Sequence, residues 1–178
     1  TSNLPLVSIV MAAYNRAGTI GRAIDSVLKQ SYPNIELIIV DDGSSDNTIG
    51  CIQPYLSQRV RLIKHDINKG VTAAKNSGLN QLKGEWFTIL DSDDEIVPHA
   101  IERMMHIPLQ LDPAVTAVTC NCIDTSTNAL SGKGLDRDQY IDVNTIMNIC
   151  TGEFWGITSS ALLQGDRFNE RLRGFEAT

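Results

Sequence analysis

Two apolar runs that stop abruptly at carboxylates constrain this chain more than any other feature. One is Ile38-Ile39-Val40, followed by Asp41-Asp42-Gly43-Ser44-Ser45-Asp46. The other is Thr88-Ile89-Leu90, followed by Asp91-Ser92-Asp93-Asp94. Runs that are apolar without alternation read as strands buried on both faces of a parallel sheet. Open α/β sheets bind ligands outside the carboxyl ends of their strands. Both acidic clusters therefore fall on the edge where a ligand would sit.

The order of elements supports that placement. Leu6–Met11 is a β-branched run, and after Ala12-Ala13-Tyr14-Asn15 the period turns helical, with Ile20, Ala23, Ile24, Val27 and Leu28 at offsets 0, 3, 4, 7 and 8. Ile35–Val40 is the next strand, and Ser44 to Asp46 supply caps for a helix to about Leu56. Val60–Lys64, a turn at Lys69-Gly70, a helix facing inward through Val71, Ala74, Gly78, Leu79 and Leu82, and the strand Trp86–Leu90 complete the alternation. Pro98 opens a helix through Ile101, Met104 and Met105 that ends near Pro108, and Val115–Ile123 reads as a core strand. The polar stretch from Asp124 to Asp138 predicts a hairpin or loop, while Phe154–Leu163 alternates only weakly. Alternating β and α implies an α/β fold, a Rossmann-like, mostly parallel sheet with helices on both faces and right-handed crossovers.

At 178 residues, with 42% hydrophobic and 20% charged content, the chain has the composition of a single soluble domain. Its 15 basic and 21 acidic residues give a net charge of −6, and no basic run is present to neutralise a row of phosphates, so nucleic acid is not an expected partner. The same acidity would repel a phosphorylated ligand unless a divalent cation bridged it to the carboxylates. Cys51, Cys120, Cys122 and Cys150 lack metal-ligand spacing and disulfide density, which makes them free thiols in a reducing compartment. No apolar stretch reaches membrane-spanning length. The close at Arg173-Gly174-Phe175-Glu176-Ala177-Thr178, with no element behind it, leads us to expect a piece of a longer chain whose missing part could carry membrane association.

Four segments in fixed order carry a resemblance. They are Val7-Ser8-Ile9-Val10-Met11-Ala12-Ala13-Tyr14-Asn15, Val40-Asp41-Asp42-Gly43-Ser44-Ser45-Asp46-Asn47-Thr48, Asn68-Lys69-Gly70-Val71 with Ala73-Ala74-Lys75-Asn76, and Leu90-Asp91-Ser92-Asp93-Asp94. Together they resemble family 2 glycosyltransferases of the GT-A fold, over about the first hundred residues. The resemblance implies one glycosyltransferase domain over residues 1–178, with residues 1–97 as the donor-binding half and 98–178 as the acceptor side. It also implies that Ala13 and Tyr14 pack on the nucleobase and that Asp42 hydrogen-bonds it. A carboxylate can accept from a uracil imide N–H and an aromatic ring offers a stacking face, so a UDP-sugar is the expected donor.

In the family's Asp-x-Asp, matched by Asp91-Ser92-Asp93, one acid touches the ribose and the other holds Mn²⁺ or Mg²⁺. Asp93 is the expected metal ligand, with Asp91 as ribose or second metal contact and Asp94 able to substitute. Strand alternation would put residues 91 and 93 on one face if the strand persisted that far. Lys69, Gly70 and Asn76 are expected along the donor pocket, whereas His65, His99 and His106 are read as surface or core histidines outside the site. For Lys75 the pocket and solvent are equally weighted.

The implied reaction is an inverting transfer to a hydroxyl of a saccharide or lipid-linked saccharide in cell-surface polysaccharide synthesis, in the cytoplasm or at the inner membrane face. It needs a general base to deprotonate that hydroxyl. The family's base is usually an Asp within a Glu-Asp pair. Here Phe168-Asn169-Glu170-Arg171-Leu172-Arg173-Gly174-Phe175-Glu176 matches the approach, but Ala177 stands where that Asp is expected. Three readings stand: Glu176 is the base, an acid beyond Thr178 is, or the chain transfers poorly. Asp136 and Asp138 are weaker candidates. The alternatives to an enzyme of this class are a nucleotide-sugar-binding module without turnover and a nucleotidyltransferase. The latter would want a Gly-rich, basic phosphate loop where Ala12-Ala13-Tyr14-Asn15-Arg16 stands. Trp155 either lines an acceptor groove or packs in the core.

Overall fold

A strand with both faces covered can hydrogen-bond only along its two edges, and the second strand of this protein is buried along its whole length. The computed structural model, which describes residues 4–134, 137–140 and 150–169, places that strand, β2 (Ile35–Asp41), between β1 (Val7–Ala13) and β3 (Val60–Lys64), parallel to both. β4 (Trp86–Ile89) lies parallel on the other side of β1. Beyond it, β8 (Phe154–Ser159) runs antiparallel to β4, and β5 (Ala117–Asn121) antiparallel to β8. The six-stranded order is β3-β2-β1-β4-β8-β5, and a small hairpin, β6 (Ile123–Asp124) with β7 (Ala129–Leu130), stands apart. The sheet is mostly parallel with helices on both faces, as the alternation of elements predicts.

Side-chain alternation sorts the core into two layers. Val7, Ile9, Met11, Leu37 and Ile39 pack with Ile20, Ala23, Ile24 and Val27 of α1 (Ile20–Leu28), Ile52 of α2 (Thr48–Ile52), and Ile101, Met104 and Met105 of α4 (Ala100–His106). On the other face Val10 and Ile38 meet Leu79 of α3 (Val71–Leu79), with Leu82, Phe87 and Ile89 around them. Each of these large aliphatic side chains contributes about 1.5–3 kcal/mol when fully buried.

Several elements depart from the sequence expectation. The helix expected to run to Leu56 is short: α2 ends at Ile52 and Gln53–Tyr55 tightens into a 3₁₀ turn, with Pro54 inside it. The helix after Pro98 begins at Ala100 and widens into a π turn over Ile107–Leu111. Val115–Ile123, expected in the core, yields β5 at the sheet edge, where its residues are exposed or half-buried. Apolar composition alone does not distinguish a central strand from an edge strand. The polar stretch does form a hairpin, and Phe154–Leu163 resolves into β8 followed by a 3₁₀ turn. The four cysteines are free. No helix among the described residues is long and apolar enough to cross a membrane.

Tyr32, at the bottom of the first layer, is buried and donates its hydroxyl to the carbonyl of Pro5 at 2.7 Å. Burial first, and the charge of Glu85 second, push its phenol up to about 12. The unfolded chain loses this proton near the ordinary tyrosine value of about 10. The stabilisation is therefore complete below that pH and is lost as pH rises toward about 12. Urea unfolding across this window should show a fall in stability that is smaller in Tyr32→Phe. Identical pH profiles for the two proteins would contradict it.

Candidate functional site

The carboxyl ends of β1, β2 and β4 lie side by side, and the loops that leave them are tied together by hydrogen bonds. Asp42 N donates to Ala13 O at 2.8 Å, joining the β1 and β2 exits. Asn15 takes a left-handed conformation, φ 54°, which Asn tolerates better than most residues. Its backbone N donates to Ser44 Oγ at 2.9 Å, and its side-chain Oδ1 accepts from Ser45 N at 2.9 Å and Asp46 N at 3.3 Å. Arg16 N donates to Thr48 Oγ1 at 2.7 Å, and Ala17 N to Asp46 Oδ2 at 3.1 Å. Asp46 also accepts from the hydroxyl and backbone of Thr48, and the hydroxyl bond is the main cause holding its carboxyl below the usual range. Ser44 to Asp46 thus form a turn before a helix and staple the first loop to the second.

Asp41 and Asp42 are both buried. Asp41 Oδ2 accepts from Ser44 N at 3.1 Å, while its Oδ1 has no partner in the described structure. Asp42, 2% exposed, has three partners. Its Oδ1 accepts from Lys69 N at 2.9 Å and lies 2.6 Å from His65 Nδ1; its Oδ2 accepts from Gly70 N at 2.8 Å. The backbone N–H groups of Lys69 and Gly70, expected to line the donor pocket, are thus turned to Asp42. The Lys69 side chain is exposed and Gly70, at φ 95°, opens α3. Gly43 sits where both conformation and space exclude a side chain: φ is 73°, and a Cβ would lie 2.7 Å from the backbone carbon of Ile67.

The second acidic cluster has the opposite environment. β4 ends at Ile89, so Asp91 to Asp94 form a turn closed by Asp94 N to Asp91 O at 3.1 Å. The strand does not persist to Asp91, so the condition under which alternation would align residues 91 and 93 is not met. Both acids nevertheless stand exposed, each beside a cation: Lys75 Nζ lies 3.3 Å from Asp91 Oδ1, and Arg16 Nε 3.6 Å from Asp93 Oδ2. Lys75 is only 11% exposed in its side chain, so it is not a solvated helix residue. Ser92 between them is buried. Burial first, then the charges of Asp91, Asp93 and Glu153, raise the pKa of Asp94. Trp155 packs against the core and donates Nε1–H to Ile89 O at 2.9 Å, which anchors the end of β4 and gives the residue a packing role.

Of the remaining candidates, Ala13 is buried under the first loop and Tyr14 is 43% exposed at its crest. Asn76 is buried with both ends of its amide on the backbone of Phe168, Nδ2 donating to O and Oδ1 accepting from N, each at 2.9 Å. In this structure it holds the 165–169 segment against α3. Glu176 and Asp136 lie outside the described residues, and Asp138 is exposed.

The reading of His65 as a satisfied core histidine holds, and the structure adds its partners: it is buried against Asp42 and, through Nε2, lies 2.9 Å from Ser77 Oγ on α3. The signal was available. His65 directly follows β3, the same strand-end position that singled out Asp42.

A family model described as Glycosyl transferase family 2 matches residues 8–163. The chain is 32% identical to a GalNAc(5)-diNAcBac-PP-undecaprenol beta-1,3-glucosyltransferase of Campylobacter jejuni, over 98% of this chain and 58% of that protein. It is 35% identical to WfgD of Escherichia coli, a UDP-Glc:alpha-D-GlcNAc-diphosphoundecaprenol beta-1,3-glucosyltransferase, over 82% of this chain and 56% of that one. Among solved structures, Staphylococcus aureus TarS 1-349 in complex with UDP superposes with a TM-score of 0.73 at 21% identity, covering 96% of this chain and 52% of TarS 1-349. The mannosyltransferase PcManGT of Pyrobaculum calidifontis, in complex with GDP-Man and Mn²⁺, gives 0.65 at 22% identity, over 95% of this chain and 49% of that one. The chain thus spans about half the length of the curated relatives it matches, from 36% to 58%.

Gly43→Ala should cost about 1–3 kcal/mol of stability, because the substituted backbone is strained and the Cβ pushes the Ile67-Asn68 segment away. Chemical denaturation midpoints check this; an unchanged midpoint would show that the turn yields without cost.

Proposed function

This chain belongs to glycosyl transferase family 2, and on that premise we propose that it transfers a hexosyl group, with inversion and with a divalent metal, from a UDP-sugar to a hydroxyl of a saccharide or lipid-linked saccharide. The observation that carries the proposal is the pairing of two acidic clusters on one sheet edge. One is buried and held by backbone and histidine donors, and the other is exposed and held by two cations. The relatives named for lipid-linked acceptors support the acceptor class, and the neighbours with UDP or GDP-Man support a nucleotide-sugar donor.

In this reading Tyr14 offers its exposed ring to the base and Ala13 shapes the loop beneath it. A carboxylate has about four lone-pair positions, and three of those on Asp42 are taken. The one left on Oδ2 accepts the uracil N3–H. Asp91 takes the ribose, and Arg16 and Lys75 stand within reach of the diphosphate. Ser92 buttresses the turn from inside, and Gly70 and Lys69 keep Asp42 in place.

The donor set fits a hard cation. Asp93, seconded by Asp91, would hold Mn²⁺ or Mg²⁺ through carboxylate oxygen. No group of three His, Cys, Asp or Glu side chains gathers into a metal cage among the described residues, so the remaining positions would fall to donor phosphate and water. When bound, the ion supplies charge neutralisation for the departing diphosphate.

The acceptor hydroxyl attacks the anomeric carbon opposite the leaving diphosphate and gives its proton to a carboxylate base. Glu176 is the proposed base. The chain running toward it is anchored by Asn76 on Phe168. Residues 1–97 serve the donor, and 98–178 the acceptor side. Nucleotide-sugar supply places the reaction in the cytoplasm, and a lipid-linked acceptor would bring it to the inner membrane face.

Calorimetric titration with UDP and GDP, with and without Mn²⁺, tests the donor half. UDP should bind with Mn²⁺, in preference to GDP, and at least about tenfold more weakly to Asp93→Ala, the effect of removing a charge-assisted contact. Binding indifferent to metal, or no binding of either nucleotide, would overturn the assignment.

A further inference from the structure

Ser77 and His65 form a polar chain that ends on the buried Asp42, and the transfer chemistry assigns no part to either of them. We propose that His65 is a positioning residue for nucleobase selection, holding the Asp42 carboxylate in the orientation that accepts a uracil imide and rejects a cytosine. The inference rests on the assignment of Asp42 to the base.

The argument begins with the donors. An ionised carboxylate only accepts, so the proton between His65 and Asp42, 2.6 Å apart, belongs to His65 Nδ1. In the neutral ring Nε2 is then an acceptor, and the Ser77 hydroxyl at 2.9 Å donates to it. Three elements are thereby connected: the Asp42 turn after β2, His65 at the end of β3, and α3. His65 N also donates to Asp41 O at 2.9 Å, so backbone and side chain attach to successive residues of the β2 exit.

Lys69 N and Gly70 N hold Asp42 from the turn, but they are successive residues of one short loop. His65 supplies the only side-chain donor among the three, and it comes from a strand end. With Oδ1 taken by His65 and Lys69, the carboxylate cannot rotate about its Cβ–Cγ bond without breaking a buried hydrogen bond. The open lone pair therefore stays on Oδ2. A uridine offers N3–H to that lone pair; a cytidine offers its own N3 lone pair and is repelled. A site that hydrogen-bonds one partner rejects the mismatched one because a buried polar group is left unpaired.

Titration of UDP, CDP and inorganic pyrophosphate, each with saturating Mn²⁺, into the wild type, Asp42→Asn, His65→Leu, His65→Asn and Ser77→Ala tests this. The wild type should prefer UDP to CDP by about tenfold or more, and Asp42→Asn should lose the preference. His65→Leu keeps bulk but removes the donor; it should lose most of the UDP/CDP ratio while pyrophosphate affinity stays within about twofold. His65→Asn places an amide N–H near the Nδ1 position and should recover much of the ratio. Ser77→Ala breaks only the outer link and should lower the ratio about two- to threefold, which keeps the proposal testable if His65→Leu does not fold. Loss of UDP, CDP and pyrophosphate binding together in a His65→Leu protein that is folded by circular dichroism would mark a merely structural histidine and overturn the proposal. An unchanged ratio in His65→Leu, or in Ser77→Ala where it stands alone, would also overturn it while leaving Asp42 as the base reader. No preference in the wild type would instead remove the assignment of Asp42, and this inference with it.

Discussion

Burying a carboxylate at the end of a fully buried strand obliges the surrounding chain to bring it donors, since an uncompensated buried charge costs several kcal/mol even after relaxation. Much of this edge follows from that requirement. Asp41 draws the Ser44 amide and so sets the turn after β2. Asp42 draws Lys69, Gly70 and His65, which brings the 67–70 segment against Gly43 and fixes where α3 begins. The negative charge then lies at the start of that helix, where its dipole favours an anion. The acid assigned to ligand recognition is equally a point of assembly for the loops around it.

The two acidic clusters share a local pattern and end in opposite environments. β2 continues its burial through Asp42, whereas β4 stops at Ile89 and its acids project on a turn. A carboxylate that must discriminate one hydrogen-bonding partner gains from being rigid and dry. One that must take up and release a cation gains from solvent access. The exposed turn is still firmly based, through Trp155 on Ile89 and the buried Ser92.

What was legible in the sequence was what a strand or helix repeats. Uninterrupted apolar runs exposed the central strands, and offsets of 3 and 4 exposed α1, because burial on a regular element writes its period into the residues. The acids at strand ends were legible for the same reason. Less legible were features fixed by contacts between distant segments. Nothing local in Asn76 announces that its amide will clamp Phe168, and nothing in Val115–Ile123 says that it will lie on an edge. The amides of Lys69 and Gly70 were expected toward the ligand, yet a buried acid from another strand claims them first. His65 could have been found by asking of every strand end, and not only the acidic ones, what it delivers.

The pairs Arg16–Asp93, exposed on both sides, and Lys75–Asp91, with its lysine largely buried, give the edge an internal set of counter-ions. Pairs as solvated as Arg16 and Asp93 contribute about 0–1 kcal/mol, so parting them is cheap. Loading this site would therefore be an exchange of ionic partners: the carboxylates trade side-chain cations for another positive charge, and the released guanidinium and ammonium face incoming anionic oxygens. Such an exchange leaves the total charge of the edge nearly constant. An otherwise acidic protein can in this way admit a strongly anionic ligand without a positively charged surface to attract it.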